Sequence, residues 1–587
     1  MTHNAMTLLD LQDAVKKFAF PLNVYAWCLL KETGRIRHLH YGFFKYPDES
    51  VEAAQLRSTE EMFRLLPKPC RALEVGVGLG TTMKQLLSAG FIATGLTPEL
   101  EQARVARTHC LNEDAIVVSR FETFDHDPGQ WDLVIFQESA QYIDPLDLFG
   151  KCRRLLKSGG HIVLADEFAL EPAQSGRDKL HRLSHFIDLG ERFGFDLLEA
   201  IDVSKEAAQT VDHLIRMLKK YEQTLITDLG VRPDQLHELL AANRHYQQNY
   251  KAQRFGYRLI KFGLKRNAAS LPGWVQAEHA PEVQALFLNV FKQSMAPGLW
   301  EWKYAQHRGQ AIGVWDHGKL IAHYGGLTRP VMYRGKEILA SQSADVMTSL
   351  DARRSLSRRS PLFVSSASYL EQAVGFGRQH LLGYGFPNER ARHAAELLGL
   401  YSHPVGKIFE LQWRLDDKSL RRFLYRCWLL NPENPGDAYA IDHCWNQMRQ
   451  HTSDFILGVR DAAWISHRYS QHPAHDYQIY AIAFAGFALP FGIVVLRKHP
   501  DGRFEWMDVV SKPSRIHELI YGLQRIPGPS TSKLFAWVSD AILALFPSTQ
   551  EVNDLNIGIP TCSWTQGPSV DELKGRWWLM GGDSDFR

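Results

Sequence analysis

Five apolar runs between residues 71 and 166 alternate with stretches of helical periodicity, and this alternation limits the folds open to the chain. The runs are RALEVGVG, FIATGLT, AIVV, WDLVIF and HIVLAD, and amphipathic segments such as TTMKQLLSAG separate them. Strands that alternate with helices build a parallel sheet from βαβ units. We therefore predict an α/β domain over residues 1–265, ended by the loop-like segment KRNAASLPGW at 265–274.

Composition and cysteine content exclude several classes of protein. Of the 587 residues, 45% are hydrophobic and 22% charged, which is typical of a globular chain and not of a disordered one. The formal net charge of +2 gives no reason to predict a nucleic-acid partner. The seven cysteines include no CxxC pair, so we predict no disulfide framework and no metal site. Reduced thiols and the lack of a signal-peptide core at the amino terminus predict a cytoplasmic protein.

One uncharged segment is long enough to raise the question of a membrane helix. Residues 479–496, IYAIAFAGFALPFGIVVL, contain 18 residues without a charge, the lower limit for a span. Gly486, Pro490 and Gly492 interrupt the segment, and its end is rich in β-branched residues. We therefore predict two buried strands around a turn and no membrane span.

The second half of the chain contains a weak internal repeat. Lys303–His307 (KYAQH) recurs as Arg468–His472 (RYSQH), an offset of 165 residues, and Asp345 has a counterpart at Asp508. Two elements in the same order at nearly the same offset predict a duplicated domain, with chance similarity as the alternative. We place the two copies at 275–415 and 430–587.

A glycine-rich turn follows the first apolar run. Glu74 ends the run and is followed by glycines at Gly76, Gly78 and Gly80. Glycines there permit a tight turn and the close approach of a ligand to the backbone. An acid at this position would repel a phosphate and would suit a ligand that carries an ammonium group.

Four blocks in the first half of the chain together resemble a class I S-adenosylmethionine (SAM)-dependent methyltransferase of the branch that acts on small molecules and lipids. The blocks are Glu74–Gly80, GLTPELEQ (95–102), WDLVIFQES (131–139) and LLKSGGHIVLAD (155–166). The resemblance implies that Glu74, Gly76, Gly78 and Gly80 hold the methionine end of SAM.

The same resemblance assigns the rest of the cofactor site. Thr97 would lie at the ribose with Gln102 nearby, and Glu122 at the adenine, although Arg120 occupies the usual acidic position. Glu138 would face the transferred methyl group, and His40-Tyr41-Gly42 resembles the branch's amino-terminal segment. Glu138, Tyr41 and His40 are therefore the candidate catalytic bases. The alternatives are that Glu138 caps a helix and that His40 and Tyr41 only pack.

The region 275–413 resembles an acyl-CoA N-acyltransferase of the GNAT superfamily. Asn388 would begin a helix that closes with Leu398-Gly399. The family's pyrophosphate loop is Gly-rich, whereas here Arg353 and Arg354 precede no glycine, and Ala395 stands where a tyrosine general acid is common. We expect either that these arginines bind the CoA pyrophosphate or that the basic loop is merely solvated.

Two functions remain open for the whole chain. One is a bifunctional enzyme of fold class α/β, a Rossmann-like methyltransferase followed by two GNAT-like α+β domains, which uses SAM and acetyl-CoA or another acyl-CoA. The other is a methyltransferase whose second half only binds a substrate, an acyl carrier or a partner protein. We expect Asp583 and Asp585, near the carboxyl terminus, to be solvated and not a metal pair, and Trp577 and Trp578 to be buried.

Overall fold

The computed structural model describes residues 8–110, 113–173, 178–265, 270–353, 356–415, 420–526, 533–549 and 551–586. The chain falls into two compact units, the first comprising residues up to 172 and from 178 to 273, and the second the residues from 274 onward.

The first unit is one seven-stranded sheet covered by helices. Its strands are β1 (Arg71–Val75), β2 (Ile92–Thr97), β3 (Ile116–Val118), β4 (Trp131–Gln137), β5 (Leu156–Ala169), β6 (Phe195–Asp202) and β7 (Phe255–Leu264). Its helices are α1 (Leu8–Lys16), α2 (Leu22–Thr33), α3 (Val51–Phe63), α4 (Thr81–Ser88), α5 (Leu100–Cys110), α6 (Pro145–Leu155), α7 (Leu183–Arg192), α8 (Ser204–Lys220), α9 (Glu222–Leu229) and α10 (Pro233–Lys251).

The strand order is β3-β2-β1-β4-β5-β7-β6. Strands β1 to β5 pair in parallel, and β7 is antiparallel to both β5 and β6. The central strands are continuous apolar runs because helices cover both faces of a parallel sheet. Leu133, Ile135 and Val163 accordingly have no exposed surface. The predicted Rossmann-like α/β fold is confirmed. Its chain order reverses between β1 and β4, where ligands of such sheets bind beyond the carboxyl ends of the strands.

The second unit contains two further sheets. Its strands are β8 (Ser270–Trp274), which ends at the boundary, β9 (Gly309–Asp316), β10 (Lys319–Tyr333), β11 (Lys336–Thr348), β12 (Leu382–Tyr384), β13 (Gly406–Arg414), β14 (Tyr425–Leu429), β15 (Ile456–Gly458), β16 (Gln478–Phe484), β17 (Gly492–Lys498), β18 (Phe504–Ser511), β19 (Lys533–Ser539), β20 (Glu551–Ile559) and β21 (Trp577–Trp578). Its helices are α11 (Ala280–Phe291), α12 (Leu299–Tyr304), α13 (Pro361–Ala373), α14 (Glu389–Leu397), α15 (Pro435–Arg449), α16 (Ala462–Ile465), α17 (Ile516–Leu523) and α18 (Val570–Leu573).

The two sheets exchange strands between the copies of the repeat. One sheet follows β12-β11-β10-β15-β21, with β9 on β10 and β8 on β9; the other follows β14-β16-β17-β18-β19-β13-β20. Strand β13 from the first copy therefore lies inside the sheet of the second, and β15 and β21 lie in the sheet of the first. The boundaries at 275–415 and 430–587 stay predictions, since the sheets do not divide at one point of the chain.

The copies share a local arrangement. In each, a strand is followed by a helix and then by a parallel strand, β11-α13-β12 in one and β18-α17-β19 in the other. The Tyr304 hydroxyl donates to Asp345 and the Tyr469 hydroxyl donates to Asp508, both at 2.8 Å. These are residues of the repeated motifs, so the same contact occurs at corresponding positions.

The uncharged segment 479–496 forms β16 and β17, as predicted. Within the described ranges, no helix has both the length and the apolar character that crossing a bilayer requires.

Candidate active sites

The glycine turn after β1 leaves one open position beside the sheet edge. Gly76, Gly78 and Gly80 have φ values of 85°, 52° and 79°, a region that favours glycine. A Cβ at Gly76 or Gly80 would lie within 3 Å of Ser139 or Ala106, so packing requires both glycines. A Cβ at Gly78 would have only a side-chain carbon of Leu39 nearby, at 3.8 Å, so this face is free to receive a ligand.

Glu74 is buried at the end of β1 with one carboxylate oxygen unused. Glu74 is only 2% exposed, and its Oε2 has no hydrogen-bond partner among the described residues. Burial raises the pKa of Glu74 to about 8. An unpaired buried carboxyl is costly, and a ligand ammonium group would satisfy it.

Thr97 and Gln102 lie together at the end of the neighbouring strand. The Thr97 hydroxyl donates to Oε1 of Gln102 at 3.3 Å and accepts from the backbone N–H of Glu99 at 3.2 Å. Both residues are buried. Register pairs Glu74 with Gly95, which places Thr97 at the same edge of the sheet. Elsewhere, Glu122 follows β3 and forms an ion pair with Arg120 at 3.7 Å.

Glu138 follows β4 in a strained backbone conformation. Its φ is 56°, which is uncommon for a residue other than glycine. Oε1 accepts from the backbone N–H of Tyr41 at 2.6 Å and from the hydroxyl of Tyr257 at 2.9 Å. Its own N–H donates to the carbonyl of Ala165 at 2.8 Å. These bonds hold the strained residue in place, a combination that is frequent at functional sites.

Two further acids surround Glu138, and sequence reasoning gave neither a role. Burial raises the pKa values of Asp166 and Glu167 to about 7, and burial also raises that of Glu138. Glu167 accepts from the Tyr250 hydroxyl at 2.7 Å, and Asp166 from the N–H of Gln141 at 3.1 Å. The sequence contains one sign of their role, since both acids interrupt the apolar run that forms β5.

His40 lies in a closed hydrogen-bond network. Its Nδ1 is 2.9 Å from the Tyr41 carbonyl, and its Nε2 is 3.0 Å from both His38 Nδ1 and the Thr59 hydroxyl. Burial lowers the pKa of His40 to about 4. To act as a base it would first have to release one of these partners.

A cavity of about 1040 Å³ lies in the second unit where β11 and β12 separate. The last pair in register is Gln342 with Tyr384, although β11 continues to Thr348. The helix after this splayed pair, α14, is capped at its amino end by Asn388, whose side chain accepts from the N–H of Ala391 at 2.9 Å. Aromatic and aliphatic side chains make up much of the wall: Phe287, Val290, Phe291, Leu356, Leu362, Phe386, Leu400, Ile557 and Phe586.

Part of the basic loop lines this cavity. Arg353 lines it, and its Nε donates to the Thr348 carbonyl at 2.9 Å. Arg354 lies outside the described residues. The Arg358 guanidinium stacks over Trp564 at 5.2 Å from the ring centre. Ala395 also lines the cavity.

Hydroxyl groups that the sequence did not point to line the same cavity. Ser343 is 2.7 Å from the hydroxyl of Tyr324 and 3.0 Å from that of Tyr401, and the two tyrosine hydroxyls are hydrogen-bonded to each other. They could supply the proton donor that Ala395 cannot.

Asp583 is buried and Asp585 is partly buried, and both form ion pairs, so the expectation that they are solvated is wrong. Asp583 is 2.5 Å from Arg460 and 3.4 Å from Arg329, and Asp585 is 3.6 Å from Lys303. Each acid is held by a cation from a distant part of the chain. No cluster of three metal-ligating side chains occurs among the residues that the structure describes. Trp577 and Trp578 are buried, as predicted.

Comparisons with known proteins assign both regions to families. Residues 73–164 match the family model of a methyltransferase domain, and residues 274–359 match that of an acetyltransferase (GNAT) domain. The chain contains a methyltransferase domain and a GNAT acetyltransferase domain. Both resemblances predicted from the sequence are thereby confirmed.

Two curated relatives match limited segments. The polyketide synthase ThaQ of Burkholderia thailandensis is 30% identical over 185 residues, 28% of this chain and 9% of the synthase. The ubiquinone biosynthesis O-methyltransferase of Pectobacterium carotovorum is 32% identical over 100 residues, 16% of this chain and 42% of that enzyme. The chain thus spans less than half the length of these relatives.

Solved structures similar to this chain include a cyclopropane synthase and a C-methyltransferase. The cyclopropane synthase MmaA2 of Mycobacterium tuberculosis aligns with a TM-score of 0.36 and 14% identity, covering 44% of this chain and 98% of the synthase. The geranyl diphosphate C-methyltransferase of Streptomyces coelicolor aligns with a TM-score of 0.33 and 18% identity, covering 44% of this chain and 99% of that enzyme.

Proposed function

We propose that the chain is a bifunctional enzyme. Its first unit would transfer a methyl group from SAM to a small-molecule or lipid acceptor, and its second unit would transfer an acyl group from acetyl-CoA or another acyl-CoA to an amine. The observation that carries the first activity is the buried carboxyl of Glu74, whose Oε2 has no partner among the described residues, beside the open face of Gly78.

The residues at the sheet edge fit SAM. Glu74 would pair with the ammonium group of its methionine part, and the open face of Gly78 would let that part approach the backbone. Thr97 and Gln102 would contact the ribose, and Glu122 the adenine. Bound SAM supplies a methyl group on a sulfonium cation, which is electrophilic.

The acid cluster would prepare the acceptor. Positioning accounts for much of the rate of such a transfer, and a base is needed only when the attacking atom carries a proton. Glu138 is the candidate base because Tyr41 and Tyr257 hold its carboxyl at the end of β4, and because burial raises its pKa, which makes the ionised carboxylate a stronger proton acceptor. Tyr41 would line the acceptor site with it, and His40 would support that segment or serve as a base after losing a partner.

The second activity is supported by the cavity between the splayed strands β11 and β12. Unpaired backbone beyond Gln342 can hydrogen-bond an extended ligand, and the apolar wall suits an acyl chain. Arg353 together with Arg354 would bind the CoA pyrophosphate with guanidinium groups in place of bare amides. Binding would then weaken with salt, because charges in an open cleft are screened over roughly 8–10 Å at ordinary ionic strength.

A second candidate function is that the GNAT half binds without catalysis. Ala395 at the common tyrosine position and the missing glycines after Arg353 favour it. In that case the cavity would hold a substrate or an acyl group on a carrier protein.

The test uses the purified full-length protein. Calorimetric titration with SAM, and separately with acetyl-CoA and longer acyl-CoAs at low salt, measures the two affinities. Transfer of label from each donor to a panel of small amines and lipids measures the two activities. Arg353→Glu should weaken acyl-CoA binding without affecting SAM. Absence of acyl-CoA binding by the wild type would leave only the methyltransferase.

The proposal includes a cytoplasmic location. All seven cysteines lie in described segments, and each is a free thiol in the structure. A reducing compartment suits such a set.

A further inference from the structure

The carboxyl-terminal tail reaches into the cavity of the first GNAT-like copy. Asp585 and Phe586 line this cavity together with Asp345 and Val346 of β11. Strand β20, also from the second copy, contributes Ile557. The cavity is therefore built by both copies and is incomplete without residues far outside the segment that matches the acetyltransferase family.

Lys303 joins two carboxylates that differ in how tightly they are held. Its Nζ is 2.8 Å from Asp345 and 3.6 Å from Asp585. Asp345 also accepts from the Tyr304 hydroxyl, and its side chain is 4% exposed. The Asp585 side chain is 12% exposed, so it is the more accessible carboxylate of the pair.

The surroundings shift the pKa values of Asp585 and Asp345 in opposite directions. Burial raises the pKa of Asp585, and Lys303 only partly offsets this. Burial acts in the same direction on Asp345, but Lys303 at hydrogen-bond distance holds the pKa of Asp345 below its ordinary value. Two neighbouring acids with opposite shifts are a common arrangement for acid–base chemistry. The titratable groups that interact with Asp585 include Lys303, Asp345, Tyr304 and Tyr384. His323 contacts the backbone carbonyl of Asp345. Three arginines line the same cavity: Arg353, Arg390 and Arg392.

We propose that Asp585 is a catalytic carboxylate of acyl transfer, and that Lys303 and Asp345 position it. This rests on the acyltransferase activity proposed above. Lys303 satisfies Asp345 at 2.8 Å and lies 3.6 Å from Asp585, so the Asp585 carboxylate can still accept a hydrogen bond from an acceptor amine in its ammonium form.

The chemistry balances with an amine and an acyl-CoA thioester as substrates. Asp585 takes one proton from the ammonium group and later passes it to solvent. The freed nitrogen lone pair attacks the thioester carbonyl, so that a C–N bond forms and the C–S bond breaks. The electron pair of the C–S bond leaves with sulfur, and the second proton lost by the nitrogen ends on the CoA thiol.

The test compares full-length wild type with Asp585→Asn, which removes the base and keeps the size of the side chain. The readouts are release of CoA thiol from acetyl-CoA with a panel of primary amines, calorimetric affinity for acetyl-CoA, and melting temperature. We expect thiol release to fall by roughly 10²–10⁴-fold, the usual contribution of a general base. Acetyl-CoA affinity and melting temperature should remain close to wild type.

The pH profile separates a catalytic role from a structural one. In the wild type, kcat/KM should rise with pH along an acidic limb set by Asp585, and Asp585→Asn should lose that limb while Asp585→Glu retains it. Asp571→Asn, which alters an exposed acid of α18, is the matched control and should match the wild type.

Two results would refute the role of Asp585 without refuting the acyltransferase activity. In the first, Asp585→Asn releases thiol at the wild-type rate. In the second, the rate, the acetyl-CoA affinity and the melting temperature of Asp585→Asn fall together while the acidic limb of its pH profile remains. A wild-type protein that neither binds acetyl-CoA nor releases its thiol would refute the acyltransferase activity as well.

Discussion

The backbone N–H of Tyr41 donates a hydrogen bond to Oε1 of Glu138 across 2.6 Å. This bond joins the segment before α3 to the carboxyl that follows β4. The Tyr257 hydroxyl donates to the same oxygen at 2.9 Å, so a residue with φ of 56° is fixed from two sides. The carboxylate that we propose to face the methyl group is therefore held in one orientation before any ligand binds.

Replacing Glu138 should reduce methyl transfer more than SAM binding. We expect Glu138→Ala to lower kcat by roughly 10²–10⁴-fold, because a base acts mainly in the transition state. Calorimetry should show SAM affinity within a few-fold of the wild type. Glu199→Ala, at an exposed acid of β6, is the control and should leave both quantities unchanged. An unaltered kcat in a folded Glu138→Ala protein would contradict the assignment.

Gly78→Val should abolish SAM binding while the protein stays folded. The added side chain would fill the face that is open in the structure, where only a carbon of Leu39 lies within 4 Å. Gly129→Val is a matched control, since Gly129 also has a positive φ, of 65°, with nothing within 4 Å of its Cβ. Unchanged calorimetric affinity in folded Gly78→Val would show that SAM does not approach this turn.

The stability of the ligand-free protein should depend on the ionisation of Glu74. Because burial raises the pKa of Glu74 from 4.5 to about 8, the folded state retains a proton that the unfolded chain loses. This contribution is fully present below about pH 4.5 and is lost as pH rises through about 8. Glu74→Gln should therefore melt increasingly above the wild type as pH is raised from about 4.5 to about 8, and the difference should level off at higher pH.

SAM should reverse this difference, since its ammonium group would favour the ionised carboxyl. Saturating SAM should raise the melting temperature of the wild type more than that of Glu74→Gln. A constant difference between the two proteins across the pH range, with and without SAM, would exclude Glu74 as the ammonium ligand.

Asp583→Ala should destabilise the second unit strongly. It removes the carboxylate that lies between Arg460 and Arg329, whose side chains are 0% and 5% exposed. Removing one partner of a buried ion pair costs about 3–5 kcal/mol, because the remaining charge is left uncompensated. Chemical denaturation followed by tryptophan fluorescence measures the loss. The control is Asp501→Ala, which removes an exposed ion pair with Arg503 and should change stability little. An equally small effect of Asp583→Ala would be evidence against buried ion pairs with Arg460 and Arg329.

The sequence was sufficient for the features that depend on local pattern. The apolar runs around RALEV and WDLVIF form central parallel strands because their neighbours along the chain are amphipathic helices. The glycine turn, the helix start at Asn388 and the two strands in 479–496 also depend on residues close in sequence. The repeat of Tyr304 and Tyr469 marked a contact that both copies make.

The features that were missed depend on partners far apart in the chain. The tail acids looked solvated because their neighbours are glycine, serine and another acid, whereas in the structure they form ion pairs with Arg460, Arg329 and Lys303. Asp166 and Glu167 become part of a site only when Tyr250 and Glu138 fold against them. Local composition contains no information about such contacts.

The exchange of strands between the two sheets makes the duplicated half indivisible. A polypeptide cut between β13 and β14 would leave the second sheet without an interior strand and the first without β15 and β21. Each piece would expose unpaired strand edges that invite association with other chains. The two copies therefore have to fold, persist and be engineered as a single module, even though their sequences look like two successive domains.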